Sequence, residues 1–328
     1  MGQCCSNLSL DGLSEKTDLQ KVQIYGPLNC EILQEQDAQQ LFQNEVRTQV
    51  DLKDLRQQYL IEENDNIEEQ RVALPYIKLL TKDVIYKGQW KNKQMDGYGQ
   101  MLHIPSKTYY CGKFQQGELQ GRGFMIYSNG DIYEGSFKNN TAHEYGVFKT
   151  IDGQTYKGQW QNGEKHGKGD YQDKYYQYIG NFCRGCKQGE GVLEFYDTFR
   201  YKGQFQNNKF QGQGELEYLD GSRRKYIGEY QDNKKSGQGH FIWPLYEYKG
   251  QYQDDLRNGQ GDIIFNEGIK VSGIFVNGKL HDSQAKIIIG DREIQAQFID
   301  GNIVSQNDEL PDQIKTLFSL HDFDEDIN

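Results

Sequence analysis

The stretch Tyr156-Lys157-Gly158-Gln159-Trp160-Gln161-Asn162-Gly163-Glu164-Lys165-His166-Gly167-Lys168-Gly169 decides the fold. In an extended strand, side chains two apart share a face. Tyr156, Gly158 and Trp160 therefore point one way, and Lys157 and Gln159 the other. The glycine between two rings leaves a gap that a neighbouring ring is expected to fill. Asn162-Gly163 is a hairpin turn signal. Two residues on each side of Gly167 and Gly169 then begin a second strand, so the stretch reads as one β-hairpin with an aromatic face and a polar face.

The same pattern recurs along the chain. Tyr-x-Gly-x-aromatic occurs at Tyr86, Tyr110, Tyr133, Tyr156, Tyr178, Tyr201, Tyr226 and Tyr248, at steps of 24, 23, 23, 22, 23, 25 and 22 residues. Weaker copies follow at Val271-Gly273-Phe275 and Ile294-Ala296-Phe298. A Gly-x-Gly lies seven residues beyond the closing aromatic in every full copy but the third, which keeps Gly146 and has Glu144 in the other place. Asp282 and Gln284 stand in those places in copy nine, so the end of the array is expected to be a cap. From the second glycine, every second residue supplies more of the aromatic face: Met125/Tyr127, Leu193/Phe195, Leu216/Tyr218, Phe241/Trp243 and Ile263/Phe265. The other face reads largely as Gln, Lys and Glu.

Composition agrees. The 328 residues include 37 Gly, 23 Tyr and 16 Phe but only 5 Pro, which suits ring-filled hairpins and not collagen or a Pro-rich linker. Mean hydropathy is −0.88, and no apolar run approaches the length of a membrane-spanning helix. A lone hairpin is marginal in water, so successive hairpins must bury one another's rings. The expectation is an all-β repeat: an elongated, curved antiparallel β-hairpin ribbon on the order of 90–100 Å long, at about 4.8 Å per strand. Net charge is −11, with both ends acidic and the centre near neutral, which argues against nucleic acid as a partner.

The chain opens Met1-Gly2-Gln3-Cys4-Cys5-Ser6, the pattern for N-myristoylation of Gly2. One myristoyl chain holds a membrane only marginally, and no basic cluster follows; Cys4 and Cys5 are placed to supply the second signal by S-palmitoylation. Residues 1–6 are thus an acylation signal, and 7–83 an acidic, partly helical N-terminal region. Within it, Phe42, Val46, Val50, Leu55 and Tyr59 recur at helical spacing over roughly 31–62. Residues 84–303 are the array and 304–328 an acidic tail, with one short helix over Gln313–Leu320.

The array resembles the MORN (membrane occupation and recognition nexus) repeats, whose pattern Y-x-G-x-[WF]-x-x-G-x-x-x-G-x-G is followed by the stretch quoted first. The resemblance implies a curved β-ribbon with a scaffold role, in junctional membranes, cilia or the cell cortex and its cytoskeleton. It also covers proteins in which the repeats are fused to lipid kinase or methyltransferase domains, for which the flanking residues here are too few.

No catalytic, nucleotide-binding or metal motif stands out, so neither enzyme activity nor a cofactor is expected. Cys183-Arg184-Gly185-Cys186 falls on a hairpin turn, without the helix N-terminus of a redox site or the partners of a zinc site, and is assigned neither role here. Lys87, Lys157, Lys202 and Lys249 recur between Tyr and Gly and form a candidate face for lipid headgroups, set against a solvated sheet face. The sequence therefore predicts a non-enzymatic scaffold, tethered by acyl chains to the cytoplasmic face of a membrane (plasma membrane, cortex or cilium). Other proteins are its partners, and self-pairing through the array's end strand is a further expectation. The alternatives are a phosphoinositide-binding module, or a regulatory subunit of a lipid-modifying or ciliary complex.

Overall fold

A computed structural model describes residues 30–45, 71–79 and 83–311. Nearly all of them lie in antiparallel strands joined in chain order, the all-β hairpin array expected. The described chain divides into two compact units, one ending at Lys174 and the other starting at Tyr175. The first holds repeats one to four, counted from Tyr86, Tyr110, Tyr133 and Tyr156. The second holds repeats five to nine, from Tyr178 to Val271, and a last hairpin of Arg292–Ile299 with Asn302–Gln306.

Each repeat is one hairpin closed by a two-residue turn. In repeat six, Phe199–Gln206 pairs with Lys209–Tyr218 across Asn207-Asn208, and both turn residues have positive φ (51° and 68°). That is the type I′ geometry, which Asn, Asp and Gly tolerate best. Turns of neighbouring repeats are tied together. The Asn208 N–H donates to the Lys187 carbonyl, and the Lys187 N–H donates to Asn208 Oδ1. Asn140 with Leu119, Asn233 with Phe210, and Asp255 with Lys235 repeat the same exchange.

The repeat tyrosine organises the buried face. Tyr201 makes edge-to-face contact with Phe205 of its own repeat and Tyr230 of the next, both at 5.2 Å between ring centres. Tyr86, Tyr110, Tyr133, Tyr178, Tyr226 and Tyr248 do the same at 5.0–5.3 Å, so rings alternate between and within repeats through each unit. Each such pair contributes roughly 0.5–1.5 kcal/mol beyond its buried area. All eight repeat tyrosines are buried, and each hydroxyl donates to the backbone carbonyl three residues on, at 2.8–3.1 Å.

The glycines differ from expectation in what they admit. Gly203 and Gly214 face each other across the hairpin, and the ring lying over both is Tyr201 of the same repeat, not a neighbour's. A Cβ on Gly203 would stand 2.6 Å from the Gly214 Cα, and one on Gly214 2.5 Å from Tyr201 Cε2. The first glycine of Gly-x-Gly has another task. It lies in an irregularity where the register slips, and its φ is positive, from 56° to 107°. In repeat three Glu144 takes that conformation, with φ 58°.

The outer face is not uniformly polar, as the residue pattern had suggested. Strand β1 (Cys30–Ile32), helix α1 (Glu35–Glu45) and strand β2 (Val72–Leu79) pack onto the first repeats, and β2 pairs with Val84–Lys91. Ala38 and Phe42 of α1 are fully buried beside Tyr76 and an outward-facing set on the first two repeats: Ile85, Leu102, Tyr109, Cys111, Phe124 and Ile126. This unit therefore buries residues on both faces of its sheet. The helix expected over 31–62 is described over Glu35–Glu45; Val46, Val50, Leu55 and Tyr59 lie outside the described residues.

At the other end, repeat nine lacks the tyrosine lock. Val271 replaces the ring, and Leu280 and Ala285 fill the space over Gly273. Asp282, in the first glycine's place, accepts hydrogen bonds from the Ile274 and Gln284 N–H groups. The 313–320 segment and the acidic cluster after it lie outside the described residues.

Candidate interaction surface

The glutamine in Tyr-x-Gly-Gln has a structural role that strand alternation alone does not reveal. Its side chain folds over the positive-φ glycine, and its Oε1 accepts the N–H of the residue between the two glycines. The bonds are Gln89 to Tyr98 (2.8 Å), Gln159 to Lys168 (3.0 Å) and Gln251 to Gln260 (3.0 Å). In repeat seven Glu229 serves Gln238 in the same way at 3.1 Å. These side chains satisfy a backbone donor that the slipped register leaves out of the ladder. They are consequently committed to the fold.

The residue between Tyr and Gly points outward, and in repeat two it is Cys111, buried under α1. Among the four lysines at that position, Lys87 pairs with Glu35 of α1 at 3.1 Å and lies 4.8 Å from the Tyr76 ring centre. Lys157, Lys202 and Lys249 are exposed, directly opposite Asp170, Glu215 and Asp262 in the strand register. Lys249 also pairs with Glu247 at 2.6 Å, and His240 meets the other oxygen of that carboxylate at 2.6 Å. Hydrogen bonding from Lys249, then from His240, holds the Glu247 carboxyl below the usual carboxylate range. The lysines are spread over different repeats and interleaved with acids, so they form no concentrated positive field.

A second set of cations lies on the aromatic face and was missed from the sequence. Lys165, Lys187, Lys235 and Arg257 each directly oppose the closing aromatic of their repeat. Lys187 Nζ is 4.5 Å from the Tyr176 ring centre, Lys235 Nζ is 4.6 Å from that of Phe241, and the Arg257 guanidinium is 5.2 Å from that of Tyr248. Burial lowers the Lys165 pKa. The signal was present: each cation lies four residues before the second glycine, on the same face by alternation. In the first three repeats Met95, Leu119 and Ala142 hold that place.

The outer face of unit two contains a shallow groove of about 500 Å³ over repeats six to eight. Backbone at Gly228, Gly239, Gly250 and Gly261 lines it together with Ile227 and His240. Ile227 is exposed there, as is Ile179 at the equivalent place in repeat five. Among the described residues no His, Cys, Asp and Glu cluster could hold a metal ion, and no helix is long and apolar enough to cross a membrane. Gly2, Cys4 and Cys5, the candidate acylation sites, lie outside the described residues.

The MORN repeat family profile matches seven segments: 86–102, 110–132, 133–155, 156–174, 201–223, 226–244 and 248–269. This chain is a MORN-repeat protein. The profile passes over repeat five, although its hairpin, glycine pairing and ring contacts follow the others. Human and rat (Rattus norvegicus) Alsin are each 30% identical to it over 99 residues, which is 27% of this chain. This MORN protein spans only 6% of the length of those relatives. Among solved structures, the TCP domain of Drosophila melanogaster SAS-4, in complex with a proline-rich motif of Ana2, gives a TM-score of 0.29. It is 13% identical, with 46% of this chain and 82% of that one covered. The TCP10 domain of Danio rerio CPAP, in complex with a STIL peptide, gives 0.30 at 9% identity, covering 65% and 96%. MORN arrays are protein- and membrane-interaction scaffolds, and nothing in this one indicates catalysis.

Proposed function

We propose that this MORN protein is a non-enzymatic scaffold. Acyl groups on Gly2, Cys4 and Cys5 hold it at the cytoplasmic face of a membrane, and the outer face of its later repeats receives partner proteins. The observation that carries the second part is the contrast between the two units. On repeats one and two the outward apolar residues lie under the chain's own α1, whereas Ile179 and Ile227 in unit two are exposed. Apolar side chains beside alternating lysine and carboxylate groups suit a protein surface of mixed charge better than an anionic headgroup layer. The tether rests on Met1-Gly2-Gln3-Cys4-Cys5-Ser6 and on the two-signal requirement for stable anchoring.

Fractionation of cells making wild type and Gly2→Ala tests the tether. Wild type is expected with membranes and the variant in the soluble fraction; a variant that stays with membranes defeats the acyl anchor. The intact mass of the native protein should show one myristoyl and one or two palmitoyl additions. For the surface, Ile179→Asp with Ile227→Asp should abolish co-purification of partner proteins while leaving membrane association unchanged. Unchanged co-purification refutes the outer face as the docking surface.

A further inference from the structure

The Cys183-Arg184-Gly185-Cys186 turn acquires a property in the folded hairpin that its sequence spacing does not suggest. Arg184 and Gly185 are its two turn residues, with φ of 49° and 79°, so Cys183 and Cys186 face each other directly as the first pair of the hairpin. Their side chains emerge on one face, because the neighbouring Phe182–Lys187 pair occupies the other. Both are free thiols; Cys183 is exposed and Cys186 half-buried. The corresponding pair elsewhere in the array is Lys91–Gln94, Gln115–Glu118, Gln206–Lys209 or Gln231–Lys234, so opposed thiols are particular to repeat five.

Opposed residues in antiparallel strands have Cα atoms about 4.5–5.5 Å apart, inside the usual range of about 4.4–6.8 Å for a disulfide. Their Cβ atoms stand about 4.5–5.5 Å apart, against about 3.5–4.5 Å in a disulfide, so closure needs a small local adjustment. The neighbouring repeat holds the base of this hairpin: the Lys187 N–H and carbonyl bond Asn208, and Gln188 Oε1 accepts the Asn207 N–H. The thiols are therefore held in mutual reach, and a bond between them carries enough strain to be reopened readily.

We propose that Cys183 and Cys186 form a reversible dithiol–disulfide site that reacts with small-molecule disulfides of the glutathione type. The exposed Cys183, as thiolate, attacks one sulfur of the disulfide and expels one thiolate, giving a mixed disulfide. Cys186 loses its proton, attacks Cys183 Sγ and expels the second thiolate. The protein dithiol loses two electrons and two protons; the small disulfide gains them and leaves as two thiols. The closed bond spans only a two-residue turn, so it adds little loop entropy to the stability of the whole unit. Its effect is local, replacing a flexible thiol pair on the outer rim of repeat five by a rigid cystine.

The test uses the folded full-length chain in glutathione buffers of stepped redox ratio, quenched by alkylation and digested with trypsin. Cleavage after Arg184 separates the two cysteines, so a closed bond appears as a linked pair of peptides 2 Da lighter than the reduced pair. The expected result is quantitative linkage in oxidising buffer, loss of linkage on return to reduced glutathione, and a persistent glutathione adduct on Cys183 in Cys186→Ser. Three results overturn the proposal: both thiols remaining alkylatable across the whole series, adducts on wild type that never close, or linkage of either cysteine to Cys4, Cys5, Cys30 or Cys111 instead.

Discussion

Replacing Gly239 by alanine tests the central packing arrangement, because this glycine has no left-handed backbone to confuse the outcome. A methyl there would stand 2.6 Å from Tyr226 Cε2 and 2.7 Å from Cζ, so the ring must retreat by most of an ångström. Tyr226 is held by its bond to the Glu229 carbonyl at 3.1 Å and by edge-to-face contacts with Tyr230 and Tyr252 at 5.2 and 5.3 Å. Overpacking costs about 1–3 kcal/mol, the hydroxyl bond contributes about 1, and two weakened ring contacts roughly 0.5–1.5 each. The total is about 3–7 kcal/mol by those figures. In a Tyr226→Ala background the same methyl meets no ring, and Gly239→Ala should be neutral or stabilising by up to about 1 kcal/mol. The double-mutant coupling is therefore expected to be at least about 3 kcal/mol. Trp243 stacks at 3.7 Å on Phe241, so urea unfolding followed by its fluorescence, with Trp90 and Trp160 replaced by Phe, reports this region. Additive effects of the two substitutions would refute the claim that the glycine exists to admit its own repeat's tyrosine.

Gln251→Leu leaves the Gln260 N–H without its acceptor and should lower stability by about 1–3 kcal/mol, whereas Gln251→Glu should be tolerated because Glu229 makes the equivalent bond; urea midpoints decide. Glu144→Gly relieves a non-glycine residue of φ 58° and should raise the midpoint of unit one, by about 1 kcal/mol. Phe42→Ala should cost about 3–5 kcal/mol and make Cys111, buried beside it, reactive to thiol reagents, an effect absent if α1 does not cover repeats one and two. Burial raises the pKa of Tyr86, Tyr133, Tyr156, Tyr178, Tyr201 and Tyr226, so their neutral forms support the fold fully below about pH 10. As pH rises beyond that, the unfolded chain sheds protons that the native state keeps, and each such tyrosine removes about 1.4 kcal/mol of stability per pH unit. A steep loss of structure above pH 10, followed by circular dichroism, is expected; native structure persisting through pH 12 contradicts it.

The ring-and-glycine pattern made the hairpins legible, because strand alternation puts Tyr, Gly and the closing aromatic on one face whatever the turns do. The glutamine cap was not legible: Gln159 and Gln251 fall on the outward face by alternation, and only the slipped register at Gly167 and Gly259 shows that they turn back onto the backbone. The cladding of unit one was hidden for a different reason. Ile85 and Tyr109 occupy a position filled by Thr155, Gln177, Arg200, Lys225 and Glu247 in later repeats, so the average over copies concealed a local apolar patch, and the α1 residues that meet it lie far away in sequence. The four outward lysines were visible as a column, but whether a column makes a field depends on what stands opposite. Asp170, Glu215 and Asp262 stand there.

The exchange of hydrogen bonds between turns gives the array a sense of direction. Leu119, Lys187, Phe210 and Lys235 each offer an N–H and a carbonyl that only the following repeat satisfies. A cut placed after any of these repeats bares a donor and an acceptor side by side on the new terminus, ready to receive an Asn- or Asp-bearing turn from another molecule. Trimming from the other end bares the reciprocal groups instead, so chains shortened from opposite ends would present mating halves of one joint.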